Sequence, residues 1–495
     1  MTQQNNAEVT NCILVLWDGP NDPANPYNWS LRRKWTLTIM SAVITFLTMM
    51  NGTIITVAHE AMAQEFNISD SSFPNSYWPV TSWTIGGGIF ALFFLPLMED
   101  FGVRLPFLGS YTAFICFVIP QALARNFRTL IATRFFAGGF VAIVANTCVA
   151  LVGNIWEDER SRTIPVSLYI ISYLSGSSMG PVVGASIYQF LSWRWIGYMQ
   201  LIWFGTLLPV YALYFPECRG TTILNQRAKS LRRDGENAYT KYELQHMEQK
   251  QSFISIILRS ATRPIVLVCQ EPVAFISTVW SAFTIGVLYL FTQSVEEVFS
   301  SLYGWTPCQA GYVQAAIIIG ELFGWAFTLL SAKIYFASAS KNTEAPGTPI
   351  PEARLYLALL GGTVGISGGM FVYAWKSYAF VHWVAPAIGL AMVGCGSIIV
   401  VTGISDYAVD SYSKYTGTII AIIAMGENTF AGVLPLATMS MYTNLGFQWA
   451  STTLAFIALA FSLVPIFVFI WGREIRNRSP FMRESMMDKR ASVSV

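Results

Sequence analysis

Charge is what this sequence has least of. Only 12% of its 495 residues are Asp, Glu, Lys or Arg, about half the share found in soluble globular chains. A soluble chain of this length divides into domains with charged surfaces, and there is too little charge here to cover them. Cysteine is sparse too. Cys12, Cys116, Cys148, Cys218, Cys269, Cys308 and Cys395 fall mostly in apolar stretches, without CxxC or metal-type spacing. They read as small apolar packers rather than a disulfide framework or metal centre. His59-Glu60 begins like a zinc-protease motif, but Ala63 stands where the second His is needed. No nucleophile–base pair is visible, so neither enzyme chemistry, nor a cofactor, nor a metal is expected. A net charge of +2 gives no reason to expect a nucleic-acid partner. The first 34 residues hold no signal-peptide core, so the first apolar block is expected to be its own insertion signal.

What the chain does have is apolar blocks of bilayer-spanning length. Twelve can be marked: 35–57, 77–97, 105–124, 128–153, 164–190, 195–215, 265–292, 307–331, 354–374, 379–403, 415–440 and 449–471. In lipid each must satisfy its backbone internally, so each is predicted to be a helix. The fifth and seventh run long and are expected to tilt or kink. The fold class is therefore an all-α polytopic membrane protein of twelve helices in two six-helix halves. The halves span 35–215 and 265–472, joined by a polar linker at 216–264 and flanked by tails at 1–34 and 473–495. The linker is expected to contain a helix near 239–259 and to lie against anionic headgroups through Arg227, Lys229, Arg232 and Arg233; a partner-binding role is the alternative.

Lys and Arg fix the orientation. With both termini cytoplasmic, 25 of the 30 basic residues lie inside and 4 (Arg125, Arg128, Arg194, Lys376) outside, with Arg134 within a helix. Missing one block would destroy this asymmetry.

Ionisable groups inside a membrane are costly and mark function by default. The candidates for carrying protons are Glu271, Glu321 and Glu427. Glu321 and Glu427 lie near the middle of their blocks and Glu271 about two turns inside its own, where Pro272 is expected to kink the helix. Gln314, Glu321 and Thr328 share one helix face, as do Glu271 and Thr278. Ser41, Thr45, Thr48 and Gly52 form a further polar stripe. Thr48, Asn146, Thr278 and Gln314 are candidate cavity residues; the alternative for such residues is hydrogen bonding between helices. Arg134 either snorkels to the outer surface or stays inside as a fixed cation beside a carboxyl group or an anionic substrate. Gly176, Gly180 and Gly184, with Pro181 among them, make a groove for a close neighbour, read further as a seal or pivot between moving halves.

These residues resemble the major facilitator superfamily, specifically the fungal twelve-spanner drug:proton antiporters. The segment Trp17-Asp18-Gly19-Pro20-Asn21-Asp22-Pro23 is similar to the family's pre-helix signature. Glu99, Gly102 and Arg104 match its gating loop between the second and third helices, with Leu95 and Val103 departing from it. Arg134-Phe135 and Gly138 resemble a fourth-helix motif linked to proton coupling. Gly176, Gly180, Pro181 and Gly184 match the antiporter motif of the fifth helix, which implies export. Trp193-Arg194-Trp195, Pro216-Glu217, Arg263-Pro264, Glu271-Pro272 and Pro351-Glu352-Ala353-Arg354-Leu355 also look like this group. Gly426-Glu427-Asn428 departs from it.

The resemblance implies a proton-coupled exporter of a small, partly apolar organic molecule such as a drug, toxin or secondary metabolite. Its partners would be that substrate, protons and the bilayer, and a monomer in the plasma membrane is expected. An importer of an organic acid or polyamine is the alternative, and a membrane-embedded enzyme or sensor the remote one. The orientation has a direct test. Of the sequons at Asn28, Asn51, Asn67 and Asn477, Asn67 alone lies in an outward loop. A glycosidase-sensitive mass shift is expected to vanish with Asn67→Gln and to survive Asn477→Gln; the reverse would overturn the topology.

Overall fold

The computed structural model describes residues 13–70, 73–94, 102–244, 262, 264–342 and 347–485. Glu99 of the loop motif and most of the expected 239–259 helix lie outside them. The described residues are overwhelmingly helical. In the first half α1 is Leu31–Thr53, α2 Trp78–Phe94, α3 Arg104–Ala122, α4 Phe127–Ile155, α5 Glu159–Phe190 and α6 Arg194–Tyr214. In the second, α7 is Pro272–Tyr303 and α8 Ala315–Ser338, preceded by the short helix Pro307–Val313. The stretch Pro351–Lys376, here α9, contains a π-helical segment at Gly361–Ser367, and α10 is Val384–Ser411. Thr416–Ser462 breaks at Gly446, whose φ of 77° and ψ of 161° end one helix and start the next. This gives α11 (416–445) and α12 (447–462), the latter continued by Val464–Arg478. Among the described residues, ten stretches are long and apolar enough to cross a membrane; the last contains the Gly446 break, and the 17-residue α2 is not among them.

The long fifth and seventh blocks form helices of 32 residues each. Pro272 does not kink α7 but begins it, with Glu271 as an extended N-cap at φ −112° and ψ 101°. Proline bars the helical conformation to the residue before it and loses nothing at a helix's first position. Glu271 therefore stands at the break between the helical residues 264–270 and α7.

Helices in lipid associate by close packing of small residues, and α5 illustrates it. A Cβ on Gly176 would come within 2.5 Å of the Phe46 carbonyl oxygen, and one on Gly180 within 2.7 Å of the Ile54 nitrogen. Both neighbours belong to α1 or its C-cap Ile54 in the same half, as does the Ile54 carbonyl that blocks Gly184. The groove is thus filled by α1 and its extension; the glycines do not themselves form the contact between halves. Helices α2 and α4 meet as closely, with Gly86 against Phe135 and Gly138 against Trp83.

The face where the chain enters α1, here the near face, carries a small domain of tail and linker. Ile13–Leu14 pairs in parallel with Ala238–Tyr239. Of the expected helix at 239–259 the described residues 241–244 are helical, and a further linker helix spans Gly220–Arg233. The latter packs Leu224, Ala228 and Leu231 against Val15 and Ala238. Arg227 pairs with Asp18 and Asp22, and Arg232 bonds Glu243 at 2.8 Å. Hydrogen bonds from the Asp18 and Ala24 backbone N–H groups, helped by Arg227, hold the Asp22 carboxyl below its usual range. Two of the four basic residues assigned to headgroups are therefore engaged by the protein's own acids.

Replacing Gly180 by Leu pushes into backbone, which cannot yield as a flexible side chain can. Gly180→Leu is expected to lose transport and to lower the thermal unfolding midpoint of purified protein. An unchanged midpoint together with normal transport would contradict this packing.

Candidate functional site

The two halves meet along two helix pairs, α5 with α8 and α2 with α11. Midway along the first pair, the Ser178 hydroxyl of α5 donates to Glu321 Oε1 of α8 at 2.7 Å. Glu321 is fully buried, and its second oxygen, Oε2, has no hydrogen-bond partner. A buried carboxyl atom without a partner is costly. Along the second pair, the Thr81 hydroxyl of α2 donates to the Gly432 carbonyl of α11 at 2.8 Å. Gly87 and Gly88 of α2 leave room for Asn428 of α11, whose Oδ1 would lie 2.9 Å from a Cβ on Gly87.

Glu427 is buried one residue before Asn428 and accepts from the Ser281 hydroxyl of α7 at 2.5 Å. That bond lies within the second half. Glu271 is also buried but accepts from Tyr412 at 3.1 Å and from Ser479 at 2.8 Å, both near-face residues of its own half. It lines a cavity of about 400 Å³ with Trp280, Tyr407, Phe467 and Arg478, inside the second half rather than between the halves. The three acids do not converge on one site.

Arg134 is fully buried and does not snorkel. Its Nε donates to the Pro79 carbonyl at 3.1 Å and its Nη1 and Nη2 donate to the Asn51 and Gly52 carbonyls at 3.1 and 2.5 Å. The guanidinium carbon stands 4.6 Å from the Trp83 ring centroid. Asn51 and Gly52 are among the last residues of α1, whose final carbonyls have no helical partner. Arg134 caps them, and its charge suits a helix C-terminus. Of the cavity candidates, Thr48, Asn146 and Thr278 each bond back to a carbonyl one turn earlier, while Gln314 is buried where Pro307–Val313 meets α8.

The loop residues Gly102 and Arg104 are tied within the first half. Gly102 takes a φ of +79°, and the Glu217 carboxylate occupies the space a side chain would need. That carboxylate accepts from the N–H groups of Val103 and Arg104 at the start of α3, and from those of Cys218 and Arg219. An acid at a helix N-terminus is favourable; here it fastens the loop to the end of α6.

Both ends of the interface are closed by charged groups. On the near face Arg354 bonds Glu159 of α5 at 2.8 Å and Asp406 and Asp410 of α10 at 3.1 Å each, and stacks 3.5 Å from the Tyr335 ring centroid. On the opposite, far face His59 Nε2 meets Glu296 Oε1 of α7 at 3.2 Å, and Tyr312 donates to Gln189 at 2.7 Å. Sequence reasoning missed Ser178, Ser281 and the Glu159 and Glu296 contacts. Only the spacing of polar residues on long apolar helices hinted at them.

Residues 41–435 match the family model described as Major Facilitator Superfamily. The chain belongs to the major facilitator superfamily. It is 30% identical to "MFS-type efflux pump MFS2" of Trichophyton rubrum over 95% of this chain and 78% of that one. To "Efflux pump radE" of Floropilus chiversii it is 29% identical over 94% of this chain and 86% of that one. To the "Cycloheximide resistance protein" of Candida maltosa it is 28% identical over 96% and 87% respectively. Its fold matches the crystal structure of the human organic anion transporter MFSD10 (TETRAN), with a TM-score of 0.59 at 15% identity over 88% of this chain and 99% of that one. The chain is thus a multi-pass integral membrane transporter of this superfamily, akin to fungal efflux pumps.

The near-face clasp predicts an asymmetry. Glu159→Gln removes a half-exposed partner, at a cost of at most about 1 kcal/mol, because Asp406 and Asp410 still hold Arg354. Arg354→Met strands those two acids and is expected to cost about 3 kcal/mol, read from unfolding of purified protein. Equal losses for the two variants would refute this division.

Proposed function

We propose that this transporter exports a small, partly apolar organic molecule in exchange for protons, by rocking its two halves about the α5–α8 and α2–α11 contacts. The near face is cytoplasmic in this reading, on the strength of the Lys and Arg distribution. The observation that carries the proposal is the Ser178–Glu321 bond, a titratable group whose partner belongs to the opposite half. Ionised, Glu321 accepts the Ser178 proton and draws α5 to α8. Protonated, it no longer holds a charge away from water, and the contact loosens. Proton binding thereby changes how firmly the halves are joined. Glu427 and Glu271 bond only within the second half, so they follow Glu321 as coupling candidates. Export and an organic substrate are supported by relatives named as efflux pumps and for cycloheximide resistance.

Gln is nearly isosteric with Glu but does not titrate. In vesicles of known orientation, Glu321→Gln is expected to reduce accumulation driven by a pH gradient to the level seen without one, while downhill exchange continues. Full gradient-driven accumulation in Glu321→Gln would remove it from the mechanism. The same result in Glu271→Gln and Glu427→Gln as well would overturn proton coupling through these acids.

A further inference from the structure

The far-face contact between the halves is more than an ion pair. His59 lies in the helix His59–Glu65 that follows α1, and Glu296 lies on α7 of the other half. Glu60, next to His59 and exposed, brings a third ligand-type atom, and all three lie within 4.8 Å of one another. Zinc–ligand bonds of about 2.0–2.2 Å in a tetrahedron set neighbouring ligands about 3.3–3.5 Å apart. The His59–Glu296 pair already stands at 3.2 Å, so seating an ion asks only that the exposed Glu60 carboxylate swing inward. The other imidazole nitrogen, Nδ1, is 3.2 Å from the Ser76 hydroxyl, and the Ser76 N–H donates to Asp70 at 2.9 Å. A partner on the far nitrogen orients a metal-ligating imidazole, and the Tyr77 ring, 5.0 Å from that of His59, closes one side.

We infer that His59, Glu60 and Glu296 form a binding site for a divalent transition-metal ion across the far-face interface between the halves. One imidazole with two carboxylates suits zinc and its neighbours and leaves a position open to water. Because the ligands come from both halves, the site is complete only while the far face is shut. An ion that binds one conformation alone raises that conformation's population. Bound zinc therefore locks the far face and stops the transport cycle. The binding part stands on the geometry alone; the arrest of transport rests on the function proposed above.

The test uses the full chain, purified in lipid nanodiscs and titrated with zinc by calorimetry, and vesicle transport with zinc on the far-face side. One-to-one saturable binding is expected. Glu60→Gln, an exposed change that leaves the His59–Glu296 contact intact, is expected to weaken it roughly tenfold or more, since even outer-shell partners of a metal are worth 10–100-fold. In the same variant, transport without zinc is retained and its sensitivity to zinc falls in parallel. His59→Ala is expected to abolish saturable binding. Absence of saturable binding, or an unchanged affinity in Glu60→Gln, would overturn the site. Zinc binding that leaves transport unaffected would overturn its link to the closed far face while sparing the site.

Discussion

No backbone polar group can be left unpaired in an apolar medium, and the architecture follows from that constraint. It turns each apolar block into a helix and leaves only helix ends with spare carbonyls and N–H groups. Two charged side chains are spent on such ends. Arg134 is spent on the last carbonyls of α1, and Glu217 on the first N–H groups of α3. Neither needs an opposite charge, because a helix terminus supplies about half a unit of it. Much of what looks like functional charge in such a chain is therefore structural termination, fixing α1 to α2 and α4, and α3 to α6, as one rigid half.

The same constraint divides the contacts between halves into two kinds. Inside the bundle they are hydroxyl bonds to a carbonyl or a carboxylate: Thr81 to Gly432, and Ser178 to Glu321. At the ends charged groups enter: the half-exposed Glu159 with the buried Arg354, and His59 with the buried Glu296. An ion pair with one partner open to water is individually weak, so Glu159 can leave Arg354 at little cost while Asp406 and Asp410 still hold it. A contact made in the dry interior has no water to replace it, so only a change in the groups themselves can alter its strength.

The sequence made the architecture legible because bilayer-length apolar blocks leave one backbone solution. It also made the buried acids and the glycine face of α5 legible, since both stand out on long apolar helices. It could not show their partners. Ser178 and Glu321 are 143 residues apart and His59 and Glu296 237 apart, and helical periodicity carries no information over such distances. The glycine groove was visible, yet that α1 fills it rather than the opposite half depends on how the helices are ordered in the bundle. The interruption of the seventh block at Glu271 was legible from the proline after it, which bars the helical conformation to the residue before it. The linker helix Gly220–Arg233 was missed because its amphipathic pattern is short and its apolar face is covered by the tail.

What distinguishes the three buried acids is geometry rather than burial. All three are withdrawn from water. Glu271 and Glu427 spend their hydrogen bonds on residues of their own half. Glu321 spends its one bond on Ser178, across the boundary, and keeps an oxygen in reserve. In the proposed cycle a proton arriving at Glu321 would alter a bond whose two ends belong to different halves. Chemical energy can drive relative motion only through a group that interacts differently with the two arrangements, and of the three acids only Glu321 has its hydrogen-bond partner in the other half.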